Sequence, residues 1–353
     1  MRRKKKVSAR LAAILIMTFL LLMGRSALSE MLGADPLSPS PSPGRASMDP
    51  ACAPESAYPS PSPVAEEATA RLTFHKDPAS DHPLLSETEL YSSNAIVIAL
   101  DSKELLLDKG SRDKVYPASL TKLMTVITAI ESLDDLKSRI LITKELINKL
   151  TAENSSMAGF LPGEEVPAID LLYGAMLPSG GECCMSLAEY IAGSETSFVQ
   201  LMNEKATELG MDQTHFVNTT GLHDSKHYTT VWDLALLLQY ALQNDTFRQI
   251  FTSQRHSTTP TNLHPDGITL YSTMFKKLPQ DTSDSFQLLG GKTGYTAKAG
   301  LCLASLAKIG GSEYIMISAG AEGNHASEQY NLTDALTVYG QISSKQFVYK
   351  AGP

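Results

Sequence analysis

The sequence predicts an α+β fold in which one antiparallel sheet is flanked by helices and adjoins a mostly α-helical lobe. Two observations lead to this class. Strand-like apolar runs lie at both ends of the folded part, whereas the segment between them has helical periodicity. Because strands from both ends bury their side chains best by pairing, one sheet with a helical insert is expected. A cleft between sheet and lobe is then the expected place for a substrate.

The predicted elements follow the chain from about Asn94, after which turns and glycines separate them. Strands are predicted at 95–100, 104–107, 215–217, 291–294, 301–309 and 314–320. A helix begins near Ser119, behind Pro117, which suits the first turn of a helix. The other predicted helices lie at 169–176, 183–192, 198–209, 231–242 and 327–342. Gly210 is expected to end the third of these.

Composition sets broad limits on function. The 353 residues carry a formal net charge of −8 at pH 7, which argues against a general nucleic-acid binder. The cysteines show neither a disulfide framework nor a zinc-ligand spacing, and they are Cys52, Cys183, Cys184 and Cys302. We interpret them as buried thiols and expect no metal site.

The N-terminus has the features of an export signal. A basic segment at 2–6 precedes an apolar run at 11–23 that is short for a membrane-spanning helix. We assign residues 1–29 to a signal peptide or an N-terminal membrane anchor. The protein is therefore expected outside the cytoplasm, in the cell wall or on the outer face of the cytoplasmic membrane.

A Pro- and Ser-rich segment follows the signal. Residues 30–92 are assigned to a disordered linker, since such a composition cannot bury a core. The linker either spaces a folded domain from a membrane or is a tail with no spacing role. The folded domain is assigned to 93–345, and 346–353 to a C-terminal tail.

One motif places a hydroxyl beside an amine. Ser119 lies at the start of a predicted helix and Lys122 follows one turn later, so both side chains face the same side. A serine nucleophile needs a neighbouring base that takes its proton. An N-capping serine and a solvated lysine would give the same spacing, which is frequent by chance.

Two further segments complete a three-part pattern. Ser179 lies in a Pro-Ser-Gly-Gly break between predicted helices, and Lys292-Thr293-Gly294 lies on a predicted strand. Each alone is consistent with a turn or a strand end. In this order they match the signature of penicillin-recognising serine enzymes, in which Ser-x-x-Lys precedes a serine loop and Lys-Thr-Gly.

The chain resembles the serine-type D-alanyl-D-alanine carboxypeptidases of peptidase family S11, the low-molecular-mass penicillin-binding proteins. Segments close to that family's usual sequence occur at 117–125, 216–222, 227–230 and 291–300, and the similarity spans roughly 94–340. The resemblance implies a β-lactamase/transpeptidase-like fold. It also implies that 93–345 is a D-Ala-D-Ala carboxypeptidase catalytic domain that needs no cofactor.

The resemblance also implies a role for each site residue. Ser119 would attack the penultimate D-Ala carbonyl of a peptidoglycan stem peptide, with Lys122 as its base, and β-lactam antibiotics would acylate the same hydroxyl. Lys122 must be neutral, and Lys292 is expected to lower its pKa. Ser179 would relay a proton to the leaving D-Ala. Lys292 and Thr293 would hold the terminal carboxylate, and the backbone N–H groups of Ser119 and Tyr295 would form the oxyanion hole.

Two features depart from the family pattern. Gly181 stands where Asn is usual, so one hydrogen bond is lost, and Glu182 is expected to compensate in part. Gly181→Asn is therefore expected to leave activity equal or to raise it. The chain ends at Pro353 soon after the last predicted helix, so any membrane attachment is expected at the N-terminus.

Three other functions fit parts of the sequence. A β-lactamase shares the fold and the Ser-x-x-Lys motif, but no convincing Glu-x-x-Leu-Asn element follows Ser179. Gly181 supports a catalytically weak wall-binding scaffold. A thiol hydrolase would use Cys183 or Cys184 with His215 or His223.

Overall fold

Antiparallel strands from both ends of the chain form the central sheet of the computed structural model, which describes residues 73–75, 90–279 and 285–350. The strands in this part of the chain are β1 (Asn94–Ala99), β2 (Glu104–Lys109), β3 (Arg139–Leu141), β4 (Glu165–Pro167), β5 (Arg255–Ser257), β6 (Thr269–Tyr271), β7 (Gln287–Thr296), β8 (Gly300–Ile309) and β9 (Ser312–Ala321). Five of them form the sheet, in the order β2-β1-β9-β8-β7. This confirms the predicted antiparallel sheet and leaves β7 at one edge.

The helices lie mainly between β2 and β7. They are α1 (Thr121–Ser132), α2 (Lys144–Ala152), α3 (Ala168–Met176), α4 (Gly181–Ala192), α5 (Glu195–Glu208), α6 (Val231–Ala241), α7 (Asp245–Thr252) and α8 (Tyr330–Lys350). Short 3₁₀ turns occupy Ala118–Leu120 and Phe275–Lys277. In the described part, no helix combines the length and apolar character needed to cross a membrane.

The sheet is buried on both faces, which explains why its strands are continuously apolar. Ile96 and Ile98 of β1 belong to the core shared with the helical lobe, whereas Val97 belongs to the cluster formed with α8. Side chains alternate between the two faces of a strand, so both faces need apolar residues. In the second cluster the buried Tyr339 Oη lies 2.9 Å from Ser305 Oγ of β8.

The predicted strand at 215–217 is wrong. His215 forms only a single bridge, to Tyr228. The backbone N–H and C=O of the next residue, Phe216, bond the Asn203 side chain at 2.9 Å each, so they are not available for a ladder. A side-chain amide thus replaces a neighbouring strand.

Helices α2 and α7 were missed by the sequence analysis, although both carry N-cap signals. The Thr143 hydroxyl accepts a bond from the Leu146 N–H, and the Asn244 side chain accepts one from the Phe247 N–H. Both helices are short, and their N-cap residues were signals that the sequence analysis did not use.

Ordered residues occur within both the predicted linker and the predicted C-terminal tail. Within the predicted linker, Phe74 is buried, its ring centroid lies 5.1 Å from that of Trp232, and His75 bridges to Glu104. Residues 73–75 are therefore packed. Helix α8 continues through the predicted tail as far as Lys350. The predicted signal or anchor at 1–29 lies outside the described residues.

Candidate active site

A tight turn carries Ser119 between the sheet and the helical lobe. Ser119 lies in the 3₁₀ turn that leads into α1, and Ala118 has a φ of +46°. Two glycines permit close packing around it. A Cβ on Gly221 would collide with the Ala118 carbonyl, and a Cβ on Gly294 would lie 3.1 Å from the Ser119 nitrogen. The turn that carries Ser119 is therefore held against edge strand β7.

Lys122 points back at the serine, as the helical spacing predicts. Its Nζ lies 3.2 Å from Ser119 Oγ and donates to the Thr220 carbonyl at 2.5 Å. Asn218 Oδ1 accepts bonds from the Gly221 and Thr220 N–H groups and so shapes the turn that presents this carbonyl. Lys122 is only 2% exposed. An amine is thus fixed against a hydroxyl without free access to water.

Burial lowers the pKa of Lys122. The charged form loses hydration that one carbonyl bond does not replace. Buried Cys184, Glu182 and Cys183 act in the opposite direction. Repulsion between the two lysine side chains is resolved in the pKa of Lys292, which burial and then the Lys122 charge place well below its ordinary value. That Lys292 lowers the pKa of Lys122 stays a prediction.

An open cavity of about 300 Å³ adjoins the turn that carries Ser119. Its lining comprises Ser119, Ser156, Pro178, Ser179, Thr273, Lys277, Thr293, Gly294, Tyr295, Leu301, His325, Gln329 and Asn331. The predicted residues Ser119, Ser179, Thr293 and Tyr295 therefore meet at one cavity. Lys122 and Lys292 lie behind its wall.

Ser179 is held in an unusual conformation. Its φ is +71°, which a non-glycine residue adopts only when its surroundings enforce it. The flanking backbone is anchored because the Gly180 and Gly181 N–H groups donate to the Gly174 and Ser156 carbonyls. Ser179 Oγ is buried and has no hydrogen-bond partner among the described residues. An unpaired buried hydroxyl is a donor and acceptor available to a substrate.

The Lys-Thr-Gly segment lies on β7 as predicted, but its lysine is withdrawn. Lys292 is 0% exposed, and its Nζ donates to the Thr293 carbonyl at 3.1 Å. The Thr293 hydroxyl lines the cavity and lies 2.7 Å from the Thr273 hydroxyl. Tyr295 also lines the cavity, and its ring centroid lies 4.9 Å from that of His325. The polar groups that β7 presents to the cavity are therefore hydroxyls rather than the lysine.

Glu182 does not replace the missing asparagine at the cavity. Its Oε1 accepts bonds from the Ala158 and Gly159 N–H groups at 2.6 and 2.9 Å, and the residue is not part of the cavity lining. Burial raises the pKa of this carboxyl. Glu182 thus anchors the 155–160 segment, which brings Ser156 to the cavity.

Gly181→Asn is now expected to reduce stability and activity, which reverses the sequence-based expectation. A Cβ at position 181 would collide with Ser155 Oγ and lie 3.3 Å from both the Ser156 carbonyl oxygen and Leu150 Cδ2. Overpacking of this kind costs about 1–3 kcal/mol. Thermal unfolding should show a lower Tm for Gly181→Asn, with partial recovery in a Gly181→Asn, Ser155→Gly double variant. An unchanged Tm in the single variant would contradict the packing argument.

The described cysteines, Cys183, Cys184 and Cys302, are buried free thiols, whereas Cys52 lies outside the described residues. Cys183 and Cys184 are fully buried, and burial raises the pKa of Cys184 to about 11 and that of Cys183 well above its ordinary value. A thiol hydrolase needs a thiolate, which this environment disfavours. His215 Nδ1 lies 2.7 Å from the Lys226 carbonyl oxygen, and the His223 ring packs on Tyr116. The buried thiols and these other contacts of the two histidines argue against the thiol hydrolase.

Two site features escaped the sequence analysis. Thr220 acts through its backbone carbonyl, which no residue type specifies. Lys277 reaches the cavity from the 3₁₀ turn Phe275–Lys277, where no motif marks it. Among the described residues, no group of three or more His, Cys, Asp or Glu side chains is placed to hold a metal ion.

Comparison with known proteins identifies the family of this chain. The family model described as D-alanyl-D-alanine carboxypeptidase matches residues 81–323. The chain belongs to the D-alanyl-D-alanine carboxypeptidase family. DacF of Bacillus subtilis is 32% identical over 253 residues, which are 67% of this chain and 59% of that protein. DacC of Escherichia coli is 30% identical over 69% of this chain and 60% of its own length.

A solved structure extends the family relationship to the fold. The crystal structure of the Streptomyces K15 DD-transpeptidase matches with a TM-score of 0.64 and 25% identity, covering 72% of this chain and 99% of that one. This confirms the predicted transpeptidase-like architecture. The family member described here spans about three fifths of the length of the two curated relatives.

Proposed function

We propose that this protein is a serine-type D-Ala-D-Ala carboxypeptidase that removes the terminal D-Ala from peptidoglycan stem pentapeptides. The observation that carries the proposal is the 3.2 Å contact between Lys122 Nζ and Ser119 Oγ, beside a cavity that Ser179 and Thr293 also line. Family membership supports it. β-Lactam antibiotics would acylate the same serine, and the reaction needs no cofactor.

Acylation begins with a proton transfer. Neutral Lys122 takes the Ser119 proton while Oγ forms a bond to the carbonyl carbon of the penultimate D-Ala. The carbonyl oxygen becomes an oxyanion, which the Ser119 N–H and the Tyr295 N–H would stabilise. Burial of Lys122 assists this step because it increases the neutral fraction of the amine.

Expulsion of D-Ala and hydrolysis complete the cycle. When the tetrahedral intermediate collapses, the C–N bond breaks and the leaving amine takes the proton from Lys122 by way of the Ser179 hydroxyl. The acyl group remains as an ester on Ser119 Oγ. Water then adds to the ester carbonyl, the C–O bond breaks, and Ser119 recovers its proton.

Export is part of the proposal. The basic and apolar segments at 2–6 and 11–23 support a signal or anchor, and a stem-peptide substrate lies outside the cytoplasmic membrane. The protein would therefore act in the cell wall or at the outer face of the cytoplasmic membrane, with residues 1–29 cleaved or retained as the anchor. N-terminal sequencing of the mature protein distinguishes these two forms.

Product release and acyl-enzyme lifetime test the activity together. Purified protein should liberate D-Ala from a peptide ending in D-Ala-D-Ala and should form a long-lived covalent adduct with fluorescent penicillin. Steady nitrocefin turnover without D-Ala release would instead indicate a β-lactamase. Peptidoglycan binding with neither reaction would favour the scaffold.

The cavity lining contains no carboxylate among the described residues, which argues against the deacylating Glu of class A β-lactamases.

A further inference from the structure

A single lysine supplies the ammonium group that lines the cavity in the described part of the chain. That residue is Lys277, and its neighbours there include Thr273, Thr293 and His325. Lys292 lies behind the wall, and its Nζ bonds the Thr293 carbonyl. The lysine of the Lys-Thr-Gly segment is therefore withdrawn from the position that the sequence suggests for it.

Lys277 is held in place without being neutralised. Its Nζ donates to Gln329 Oε1 at 2.8 Å, while the Gln329 amide donates to the Ser327 carbonyl at 2.7 Å and to the Asn324 carbonyl at 3.0 Å. The amide is thus oriented with its oxygen toward the ammonium. No carboxylate pairs with Lys277 among the described residues, and partial burial lowers its pKa. An ammonium with one neutral partner retains donors for an anion.

The surroundings of Lys277 favour an anionic group. The cavity lining offers hydroxyls on Thr273 and Thr293, whose oxygens lie 2.7 Å apart, and no carboxylate from the described residues. Burial lowers the pKa of His325, and so does the charge of Lys277, so this neighbour favours its neutral form beside the ammonium. A bound carboxylate would accept bonds from both the ammonium and a hydroxyl.

We propose that Lys277 is a specificity-determining residue that binds the terminal carboxylate of the substrate together with Thr293. This inference rests on the proposed carboxypeptidase function and names the side chain that makes a free C-terminus a requirement. Lys292 then acts from behind β7, as a buried neighbour of Lys122. Lys277 touches the substrate but takes no part in bond breaking.

The test compares two substrates on the full chain. One is an acylated peptide ending in D-Ala-D-Ala with a free carboxylate, and the other is the same peptide ending in a carboxamide. Loss of one charge-assisted hydrogen bond corresponds to about 10- to 100-fold in binding. Lys277→Gln should therefore lower kcat/KM for the acid form by about that factor, mainly through KM, and should change the amide form by less than about threefold.

Two further variants serve as controls. Lys276→Gln removes the adjacent exposed lysine, whose Nζ lies 4.7 Å from the Tyr271 ring centroid and outside the cavity, and it should retain the preference for the acid form. Lys277→Arg keeps the charge and should retain most of that preference.

The outcomes separate the inference from the function on which it rests. If Lys277→Gln keeps the wild-type preference, or loses both substrates equally, Lys277 does not bind the carboxylate. If the wild type releases no product from either peptide, the carboxypeptidase proposal fails and the inference fails with it. If the preference for the free-acid peptide falls in Lys277→Gln and in no other variant, both the carboxylate-binding inference and the carboxypeptidase proposal are supported.

Discussion

Replacing Ser119 with alanine is expected to abolish both D-Ala release and covalent labelling by fluorescent penicillin. The acyl-enzyme needs an oxygen at this position, and alanine leaves Lys122 without a hydroxyl to deprotonate. Loss of a nucleophile of this kind lowers kcat by about 10⁴-fold or more. Product assay and gel fluorescence of wild type and variant measure the two effects independently.

The matched control is Ser156→Ala. Ser156 also lines the cavity, but no amine lies beside it in the described structure, whereas Lys122 Nζ lies 3.2 Å from Ser119 Oγ. The control should still become labelled at Ser119, as peptide mapping would show. Labelling that persists in Ser119→Ala would place the nucleophile elsewhere and remove the basis of the mechanism.

Replacing Lys122 with arginine is expected to lower kcat/KM by about 10³-fold, within the range that a positioned general base supplies. A guanidinium keeps the positive charge but does not release its proton at physiological pH, so it does not act as a base. Lys122→Met removes the charge at similar length and should be equally inactive. Both variants should be compared with the wild type by thermal unfolding.

The pH profile gives a second measurement on Lys122. Because the base must be neutral, wild-type kcat/KM should rise as Lys122 loses its proton. Burial lowers the pKa of Lys122, so this rise should be centred below the ordinary lysine value of 10.5.

A Lys122→Arg variant that retains activity within tenfold of wild type would show that Lys122 supplies charge rather than proton transfer.

Much of the fold is predictable because it depends on local patterns. The apolar runs at 95–100 and 301–309 lie within or extend one residue beyond β1 and β8, since a sheet covered on both faces requires continuously apolar strands. The helices α4 and α6 begin and end within two residues of their predicted limits. The prediction at 215–217 failed because a distant side chain, that of Asn203, occupies the backbone of Phe216.

In the site, too, contacts between near neighbours in the sequence were predictable and contacts between distant segments were not. Ser119 and Lys122 meet because helical geometry brings residues three apart onto one face, and this was readable without a structure. The Thr220 carbonyl that binds Lys122 lies 98 residues further along the chain. Gly181 packs against Ser155, which belongs to a different segment. No local sequence pattern predicts either contact. The structure therefore reverses the sequence-based expectation that Gly181→Asn leaves activity equal or raises it.

The amino-acid sequence alone predicted the family and the proposed class of chemistry, because Ser119 and Lys122 lie one helical turn apart and three short motifs are typical of that family. Tertiary structure alone decided which groups line the cavity. It buried Lys292 behind the wall, brought Lys277 to the cavity from an unmarked turn, and gave Lys122 its carbonyl partner. The physical reason is that helix and strand formation follow from neighbouring residues, whereas burial and charge at a site depend on segments that meet only when the chain packs.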